Sequence, residues 1–196
     1  PRFYDVDSGS ILIDGVDVRD MSQEKLREKI GFVPQKAVLF SGTITDNLKL
    51  GNDGATDDEI RRAAEIAQAA EFINGMDDGF NHEIAQGGTN VSGGQKQRLS
   101  IARALVRKPE IYVFDDSFSA LDFKTDAKLR AALKNEIAES TVIIVAQRVG
   151  TVMDADRIIV MNEGEIAGMG THKELLNTCE VYREIVSSQL SEEEIA

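Results

Sequence analysis

The sequence predicts an α/β fold in which a long helical segment is inserted into a parallel β-sheet. Two continuous apolar runs, at residues 111–114 and 141–145, have the composition of strands that are buried on both faces. A helical pattern around residues 124–138 separates them, which is the strand–helix–strand order of a parallel sheet. Residues 42–106 are mainly helical in pattern. In such sheets ligands bind beyond the carboxyl ends of the strands, so the chemistry is expected there.

The N-terminal part predicts a hairpin, a short helix and a strand. Asp14-Gly15 lies between two short β-type runs, and this dipeptide is typical of tight hairpin turns. A short helix is expected between Ser22, which can cap its start, and Gly31, which closes it. The strand that follows is expected to end at Pro34.

The middle of the chain predicts helices with recognisable boundaries. A capping box at Thr56 begins a run of apolar residues at helical spacing. Gly87-Gly88 breaks the pattern, and a longer helix follows Ser92. Pro109 stops that helix after a basic last turn.

The C-terminal part predicts a second hairpin and a final helix. Residues 162–164 separate two β-type runs, and a capping box at Thr171 opens a helix that is expected to reach about Ser188. The acidic tail at residues 191–196 is expected to fray.

Composition limits the class of protein. The 196 residues are 42% hydrophobic and 29% charged, as in an ordinary globular protein, with no apolar run of the roughly 20 residues that span a bilayer. A net charge of −12 argues against a general nucleic-acid binder, although main-chain NH groups can still hold a phosphate. The single cysteine, Cys179, fits a reducing compartment and is expected to be a partly buried helix residue.

The strongest chemical signal is the sequence Ser92-Gly93-Gly94-Gln95 at the start of a helix. Two glycines allow a ligand to approach the backbone closely, and the helix N-terminus offers free NH groups with a partial positive charge. These features favour an anion-binding site. The alternative is a plain serine cap followed by a flexible turn.

Further polar residues follow the predicted strands. Asp115 and Asp116 end the apolar run at 111–114, where P-loop ATPases hold Mg²⁺, although an acidic pair opening a surface loop is also common. Residues 119–122 read Ser-Ala-Leu-Asp. The next apolar run leads to Gln147-Arg148.

These motifs together resemble the ABC ATPase family over nearly the whole chain. The resemblance depends on five motifs in a fixed order: GFVPQ at 31–35, SGGQKQR at 92–98, the strand ending in Asp115, SALD at 119–122 and the strand leading to Arg148. Residues 35–44, with Asp46-Asn47-Leu48 after them, resemble the exporter branch, of the multidrug or lipid type. The implied fold is a P-loop NTPase-like α/β domain with a helical insertion subdomain.

The resemblance implies a role for each matching residue. Gln35 would contact Mg²⁺ and the attacking water, and Asp115 would organise Mg²⁺. The signature residues Ser92, Gly93, Gly94 and Gln95 would contact the γ-phosphate of ATP bound on the opposite subunit. Residues 119–122, ending in Asp122, would cross the dimer interface, and Gly87-Gly88 would lie where exporters contact the membrane domain.

Two positions depart from the family pattern. Asp116 replaces the usual glutamate that polarises the attacking water, and its carboxylate is one methylene shorter. Misplacement of a catalytic group by about 1 Å can cost about 10²-fold in rate. Gln147 replaces the usual switch histidine and cannot carry a proton at neutral pH. Both changes together resemble the degenerate half of a heterodimeric exporter, and a homodimer with two weak sites is the alternative.

The phosphate-binding loop of the family is not found in the sequence. The pattern G-x-x-x-x-G-K-[ST] is missing, as is any Gly-Lys dipeptide. We therefore expect a fragment that begins just after that loop and that binds ATP weakly or not at all alone. The loss of the loop's strand would leave the sheet core incomplete and expose strand edges, which predicts a dimer or aggregate.

The implied organisation has four parts. Residues 1–41 would complete the N-terminal ATPase lobe, 42–106 the helical subdomain, and 107–190 the ATPase core, followed by the tail at 191–196. The implied partners are ATP, Mg²⁺, a second and different nucleotide-binding domain, and a transmembrane domain that holds this otherwise soluble fragment at the cytoplasmic face of the membrane. No nucleic-acid partner is expected.

Two other classes of function stay open. A truncated cassette without the phosphate loop would act only as an interaction module. A soluble ABC ATPase of DNA repair or translation is disfavoured by the acidic charge and by the exporter-like sequence at residues 42–48.

Overall fold

The structure is a computed structural model that describes residues 1–190, so the predicted acidic tail at 191–196 lies outside the described residues. The strands of the described part are β1 Leu12–Ile13, β2 Val16–Asp17, β3 Ile30–Val33, β4 Gly42–Thr43, β5 Glu83–Ile84, β6 Ile111–Asp115, β7 Thr141–Val145, β8 Ile158–Asn162 and β9 Glu165–Gly170. The α-helices are α1 Gln23–Glu28, α2 Ile44–Lys49, α3 Asp57–Ile66, α4 Ala70–Asn74, α5 Gly93–Arg107, α6 Phe123–Glu136, α7 Val149–Val152, α8 His172–Thr178 and α9 Glu180–Ser187. The chain divides into two compact units, residues 1–145 and the residues from 146 onward.

The predicted N-terminal elements are present in the first unit, with one correction. Strands β1 and β2 pair antiparallel, and the Ser22 hydroxyl accepts a hydrogen bond from the Lys25 amide at the start of α1. Gly31 does not close this helix, because the chain enters strand β3 at Ile30. A Cβ at Gly31 would lie 2.6 Å from Pro109 Cγ, so this glycine allows β3 to approach the start of the next parallel strand.

The parallel sheet of the first unit has the strand order β3-β6-β7 in the part of the chain that is described. This confirms the predicted α/β class. Strand β7 differs from the expectation of burial on both faces, because Ile143 is 50% exposed and Val142 and Val145 are exposed as well. In the described sheet β7 pairs only with β6, so its other edge has no strand beside it there.

The predicted helical segment contains α2 to α5 together with a small pairing of β4 and β5 that the sequence pattern did not predict. Complete capping boxes open α2 at Thr43, α3 at Thr56 and α5 at Ser92. The helices bury one apolar core whose fully buried side chains include Leu48, Ile60, Ile73, Leu99 and Ile101. This burial stabilises a segment whose shorter helices would be marginal alone.

Helix α5 is tied to several other segments of the first unit by side chains that donate to main-chain carbonyl oxygens. The donors and acceptors are Lys96 to Gly87, Gln97 to Pro34, Arg98 to Gln68, Arg103 to Val38 and Asn47, and Arg107 to Arg27. The acceptors lie in loops and in helices α1 and α2, and each bond gives a main-chain carbonyl a side-chain partner. Helix α5 therefore holds segments that lie far apart in the sequence.

The second unit contains the predicted hairpin, β8 and β9, and two helices where one was expected. Cys179 has an extended backbone and separates α8 from α9, so the prediction of one helix from Thr171 to about Ser188 is wrong at this point. The Cys179 side chain is buried beside Gly168, where a Cβ would lie 2.8 Å from its sulfur. The break thus lets the sulfur pack directly on the backbone of β9.

No helix within residues 1–190 combines the length and the apolar character that a membrane span requires.

Candidate functional site

The carboxyl ends of β3 and β6 are neighbours in the parallel sheet and bring together the residues predicted to handle Mg²⁺ and water. Asp115 is the last residue of β6 and lies opposite Val145 of β7. Gln35 follows the last residue of β3, Val33, by two positions. These residues were assigned to one site from the sequence, and the sheet register places their backbones at the same edge.

A direct hydrogen bond joins Gln35 to Asp116. The Gln35 Nε2 donates to Asp116 Oδ2 at 3.0 Å, and the Asp116 amide donates to the Val145 carbonyl at 2.9 Å. The residue is 9% exposed, so its carboxylate is held in a largely buried position. Gln35 and Asp116 therefore act as one polar unit at the end of the sheet.

The backbone at Asp116 is in the left-handed region, which the sequence did not predict. Its φ is 45°, a conformation that residues other than glycine adopt uncommonly and at some cost in energy. The carbonyl of Asp116 accepts hydrogen bonds from the Ser119 hydroxyl at 2.8 Å and from the Ser119 amide at 3.4 Å. These bonds hold the turn that aims the carboxylate toward Gln35.

Ser117 is a site residue that the sequence analysis missed. Its hydroxyl is completely buried and donates to the Val33 carbonyl at 2.8 Å, so it ties the loop after β6 to the end of β3. The only available signal was its position directly after two aspartates, where a small hydroxyl residue can bond a neighbouring strand end.

The Ser92-Gly93-Gly94-Gln95 motif forms the N-terminus of α5, with Ser92 as its cap. The Ser92 hydroxyl accepts from the Gln95 amide at 3.3 Å, and Gln95 Oε1 accepts from the Ser92 amide at 2.8 Å. Both side chains are used for capping, while the NH groups of Gly93 and Gly94 occupy the first turn, where a helix has no carbonyl partner for them. These NH groups can meet an anion.

The glycine turn packs against the loop that follows Asp116. A Cβ at Gly94 would lie 3.3 Å from the Ala120 carbonyl oxygen, whereas one at Gly93 would meet open space. At the end of the same loop, Asp122 caps α6 by accepting from the Thr125 amide at 2.9 Å and the Thr125 hydroxyl at 2.7 Å. These hydrogen bonds lower the pKa of Asp122 below its ordinary value. The residues from Asp116 to Asp122 thus form one loop that contacts Gln35 at one end and the glycine turn at the other.

Gln147 belongs to the second unit, two residues beyond the end of β7. Its carbonyl accepts from Gln189 Nε2 at 2.8 Å, and Gln189 Oε1 accepts from the Val149 amide at 2.9 Å. The backbone around Gln147 is therefore held by Gln189, a residue near the end of the described chain that the sequence analysis did not select.

The donor set at the carboxyl edge fits Mg²⁺. Asp115 offers a carboxylate and Gln35 an amide oxygen, and hard oxygen donors are the ligands Mg²⁺ prefers. One or two protein oxygens together with substrate phosphates are a usual environment for this ion. In residues 1–190 no cluster of three or more His, Cys, Asp or Glu side chains is arranged to hold a metal.

Two open clefts lie away from these residues. One of about 310 Å³ is lined by polar side chains, among them Gln68, Glu71, Arg98, Lys124 and Thr125. The other, of about 280 Å³, is mainly apolar and is lined by Phe40, Ser41, Asp46, Asn47 and Leu50. Neither cleft is lined by a predicted site residue.

Comparisons with known proteins point to one family. The family model described as ABC transporter matches residues 2–119. An uncharacterized ABC transporter ATP-binding protein of Mycobacterium bovis is 48% identical over 191 residues, which are 96% of this chain and 32% of the relative. The ATP-dependent lipid A-core flippase of Desulfotalea psychrophila is 43% identical over 176 residues, 90% of this chain and 31% of the relative.

A solved structure, that of a bacterial Atm1-family ABC exporter with ATP bound, has a TM-score of 0.94 and 40% sequence identity. The match covers 97% of this chain and 34% of the exporter chain. The chain therefore spans about a third of the length of these three proteins.

Proposed function

Because this chain belongs to the ABC transporter family, we propose that it is the ATP-binding and ATP-hydrolysing domain of an ABC exporter and that it couples ATP-driven dimerisation to transmembrane transport. The observation that carries the proposal is the loop from Asp116 to Asp122, which joins the Gln35–Asp116 pair to the glycine turn of α5. This one loop would therefore contact both the residues that serve the chain's own nucleotide and the turn that serves the nucleotide of the partner.

The chain's own nucleotide site would use Gln35, Asp115 and Asp116. Asp115 and the Gln35 amide oxygen would hold Mg²⁺, which neutralises charge on the phosphate oxygens when it is bound. Asp116 would accept a proton from, or orient, the attacking water. The Gln35–Asp116 hydrogen bond of 3.0 Å supports this assignment because it orients both side chains at the carboxyl edge of the sheet.

We infer that this site hydrolyses ATP slowly. The Asp116 carboxylate is one methylene shorter than glutamate, and its backbone is fixed by Ser119 and Val145, so the chain cannot readily shift to make up the distance. Gln147 can donate or accept a hydrogen bond but cannot become a cation at neutral pH. By the family pattern, each of these two positions concerns the activation of water against the γ-phosphate.

We infer that the turn this chain offers to a partner's nucleotide site is intact. The turn at Ser92 to Gln95 retains both glycines, the capping box and a helix N-terminus, so it can contact the γ-phosphate of ATP held by a partner subunit. A partner that carries glutamate and histidine at the positions of Asp116 and Gln147 would supply the competent site. This favours a heterodimer over a homodimer with two weak sites.

The membrane domain is proposed to bind at the apolar cleft between Phe40 and Leu50. Both side chains, together with Val38, are more than half exposed, which is unusual for large apolar groups so close together. This surface follows Gln35 along the chain, so a partner seated there would lie beside the loop that carries Gln35. The chain would then work at the cytoplasmic face of a membrane, and the flippase relative favours a lipid-like amphiphile among possible cargoes.

An interaction module that does not bind ATP alone is the second candidate. The 196 residues contain no G-x-x-x-x-G-K-[ST] loop, and the exposed apolar strand β7 offers a pairing edge. This polypeptide would then bind ATP weakly while still contacting a partner.

Calorimetric titration with Mg-ATP tests the proposal. The 196-residue chain would be compared with a version extended at its N-terminus by a strand and a G-x-x-x-x-G-K-[ST] loop. We expect binding by the extended version alone, and Lys→Ala in the added loop is the matched control. Tight binding by the short chain would contradict the site map, and no binding by either version would favour the interaction module.

A further inference from the structure

Two side chains of α5 hold the loop of Gln35 at both of its ends. Gln97 Nε2 donates to the Pro34 carbonyl at 3.1 Å, directly before Gln35, and Arg103 Nη1 donates to the Val38 carbonyl at 3.1 Å, three residues after it. The two donors are separated by about 9 Å along α5, because a helix rises 1.5 Å per residue. The loop therefore lies along the helix and is fastened to it on either side of Gln35.

Gln97 is placed for this bond and is shielded from water. It is 2% exposed although it is polar, so its amide group must be satisfied inside the protein. The bond to Pro34 meets this need and uses a carbonyl at the end of β3. Loss of the donor would leave a partly buried carbonyl without this partner.

Arg103 uses its whole guanidinium group on neutral acceptors. Besides Val38, its Nε donates to the Asn47 carbonyl at 2.9 Å and its Nη2 to Asn47 Oδ1 at 3.2 Å, with the Phe40 ring 5.8 Å away. None of the ion pairs found within residues 1–190 includes Arg103. Burial lowers the pKa of Arg103. A cation kept in such surroundings without a carboxylate is costly, whereas its rigid fork is well suited to fixing geometry.

Asn47 extends the attachment further along the same loop. It is 1% exposed, its Oδ1 also accepts from the Phe40 amide at 2.9 Å, and its Nδ2 donates to the carbonyls of Phe40 at 2.9 Å and Thr43 at 3.0 Å. Arg103 and Asn47 therefore hold residues 38–43 as a rigid continuation of the Gln35 loop. Helix α5, which carries Gln97 and Arg103, begins directly after its cap Ser92.

We propose that Gln97 and Arg103 are positioning residues that fix Gln35 relative to the Ser92–Gln95 turn of the same helix. Gln35 serves the chain's own nucleotide and the turn serves the partner's, so a shift of α5 would move both contacts together. The catalytic consequence rests on the proposed function, whereas the placement of Gln35 does not.

Nuclear magnetic resonance of the 196-residue chain tests the placement. The side-chain amide of Gln35 gives a signal that reports its bond to Asp116, and the amides of residues 35–43 report loop order. We expect Arg103→Met and Gln97→Met to displace the Gln35 signal and to speed amide exchange in this loop by about tenfold. Arg103→Lys keeps the charge but loses the fork, so it should restore the signal only in part.

Arg107→Met is the matched control. It removes the same kind of side chain one turn further along α5, where Arg107 Nη2 donates to the Arg27 carbonyl at 2.9 Å, outside the Gln35 loop. A lower melting temperature with an unchanged Gln35 signal is expected for this variant. The proposal is overturned if the Gln35 signal stays in place in Arg103→Met and Gln97→Met, or if Arg107→Met displaces it equally.

The catalytic consequence has a separate readout in the version extended with a phosphate-binding loop. Arg103→Met should lower kcat by about tenfold with little change in KM, because it misplaces a group near the reacting water. If this extended version does not hydrolyse ATP in any form while the Gln35 signal moves as expected, the proposed function fails and the positioning role stands. An unchanged kcat in an active enzyme whose Gln35 signal has moved would overturn the catalytic consequence.

Discussion

The N-terminus of α5 and the carboxyl end of β6 differ in how closely they keep the family's residues. At α5 the motif Ser92-Gly93-Gly94-Gln95 is complete, its capping box is formed, and the first-turn NH groups of Gly93 and Gly94 can meet an anion. At β6 the water-activating position is Asp116, whose backbone is strained and whose side chain is bonded to Gln35. This contrast is the basis of our proposal that the chain keeps the turn it offers to a partner while its own site hydrolyses ATP slowly.

The largest effect should come from disrupting the Ser92–Gln95 turn at the N-terminus of α5. We expect Ser92→Arg to lower ATP hydrolysis by about 10²–10³-fold at the site that this turn completes, because a bulky cation would displace the glycine turn from the phosphate. ATP hydrolysis by the dimer measures the change. Ser92→Thr, which retains the capping oxygen, is the control, and equal activity of the arginine variant would contradict the assignment of this turn.

Restoring the family's residues at Asp116 and Gln147 should have the next largest effect. Asp116→Glu together with Gln147→His is expected to raise hydrolysis at the chain's own site by about 10²-fold, since it restores the glutamate and the histidine of the family pattern. Steady-state ATP hydrolysis by the extended version is the measurement. If unmodified protein already works as fast as the double variant, the degenerate-site hypothesis is wrong.

A smaller effect concerns the stability of the loop from Asp116 to Asp122. Ser117→Ala should lower the free energy of unfolding by about 1–2 kcal/mol, because the buried Val33 carbonyl loses its hydroxyl partner. Ser119→Ala should cost less, since Ser119 is exposed and water can replace its hydroxyl. Urea unfolding of both variants gives the comparison, and a larger loss for Ser119→Ala would contradict it.

The smallest effect distinguishes a charged cap from a neutral one. Hydrogen bonds from Thr125 lower the pKa of Asp122 in the folded state, so its stabilising contribution is present above the ordinary aspartate pKa. That contribution is lost as the pH falls from about 4 through the lowered value. The stability advantage of the wild type over Asp122→Asn should therefore shrink on acidification. An advantage that is constant between neutral and acid pH would contradict this.

Local signals were sufficient for most elements of the fold. Capping residues such as Ser22, Thr56, Ser92 and Thr171 predicted helix starts that the structure confirms, because a cap is decided by a few adjacent atoms. The break at Cys179 was missed, since it depends on packing against Gly168 of strand β9. Long-range packing of this kind leaves no periodic trace in the sequence.

The candidate site divides in the same way. The sequence order of motifs selected Gln35, Asp115 and Asp116, and the sheet topology places them at neighbouring strand ends. The left-handed backbone of Asp116 and the donors on α5 were not predictable, because they arise from contacts between residues far apart in the chain. Gln97 belongs to the SGGQKQR motif, but its bond to the Pro34 carbonyl could not be predicted from that motif.

Hydrolysis by mixed dimers tests the central claim most directly. One copy of the extended chain would carry Asp116→Glu and Gln147→His as a competent partner, and the other copy would keep the natural residues. We predict that Ser92→Arg in the natural copy abolishes most of the ATP hydrolysis, while Asp116→Asn in that copy leaves it nearly unchanged. The opposite pattern, with loss on Asp116→Asn and tolerance of Ser92→Arg, would contradict the account.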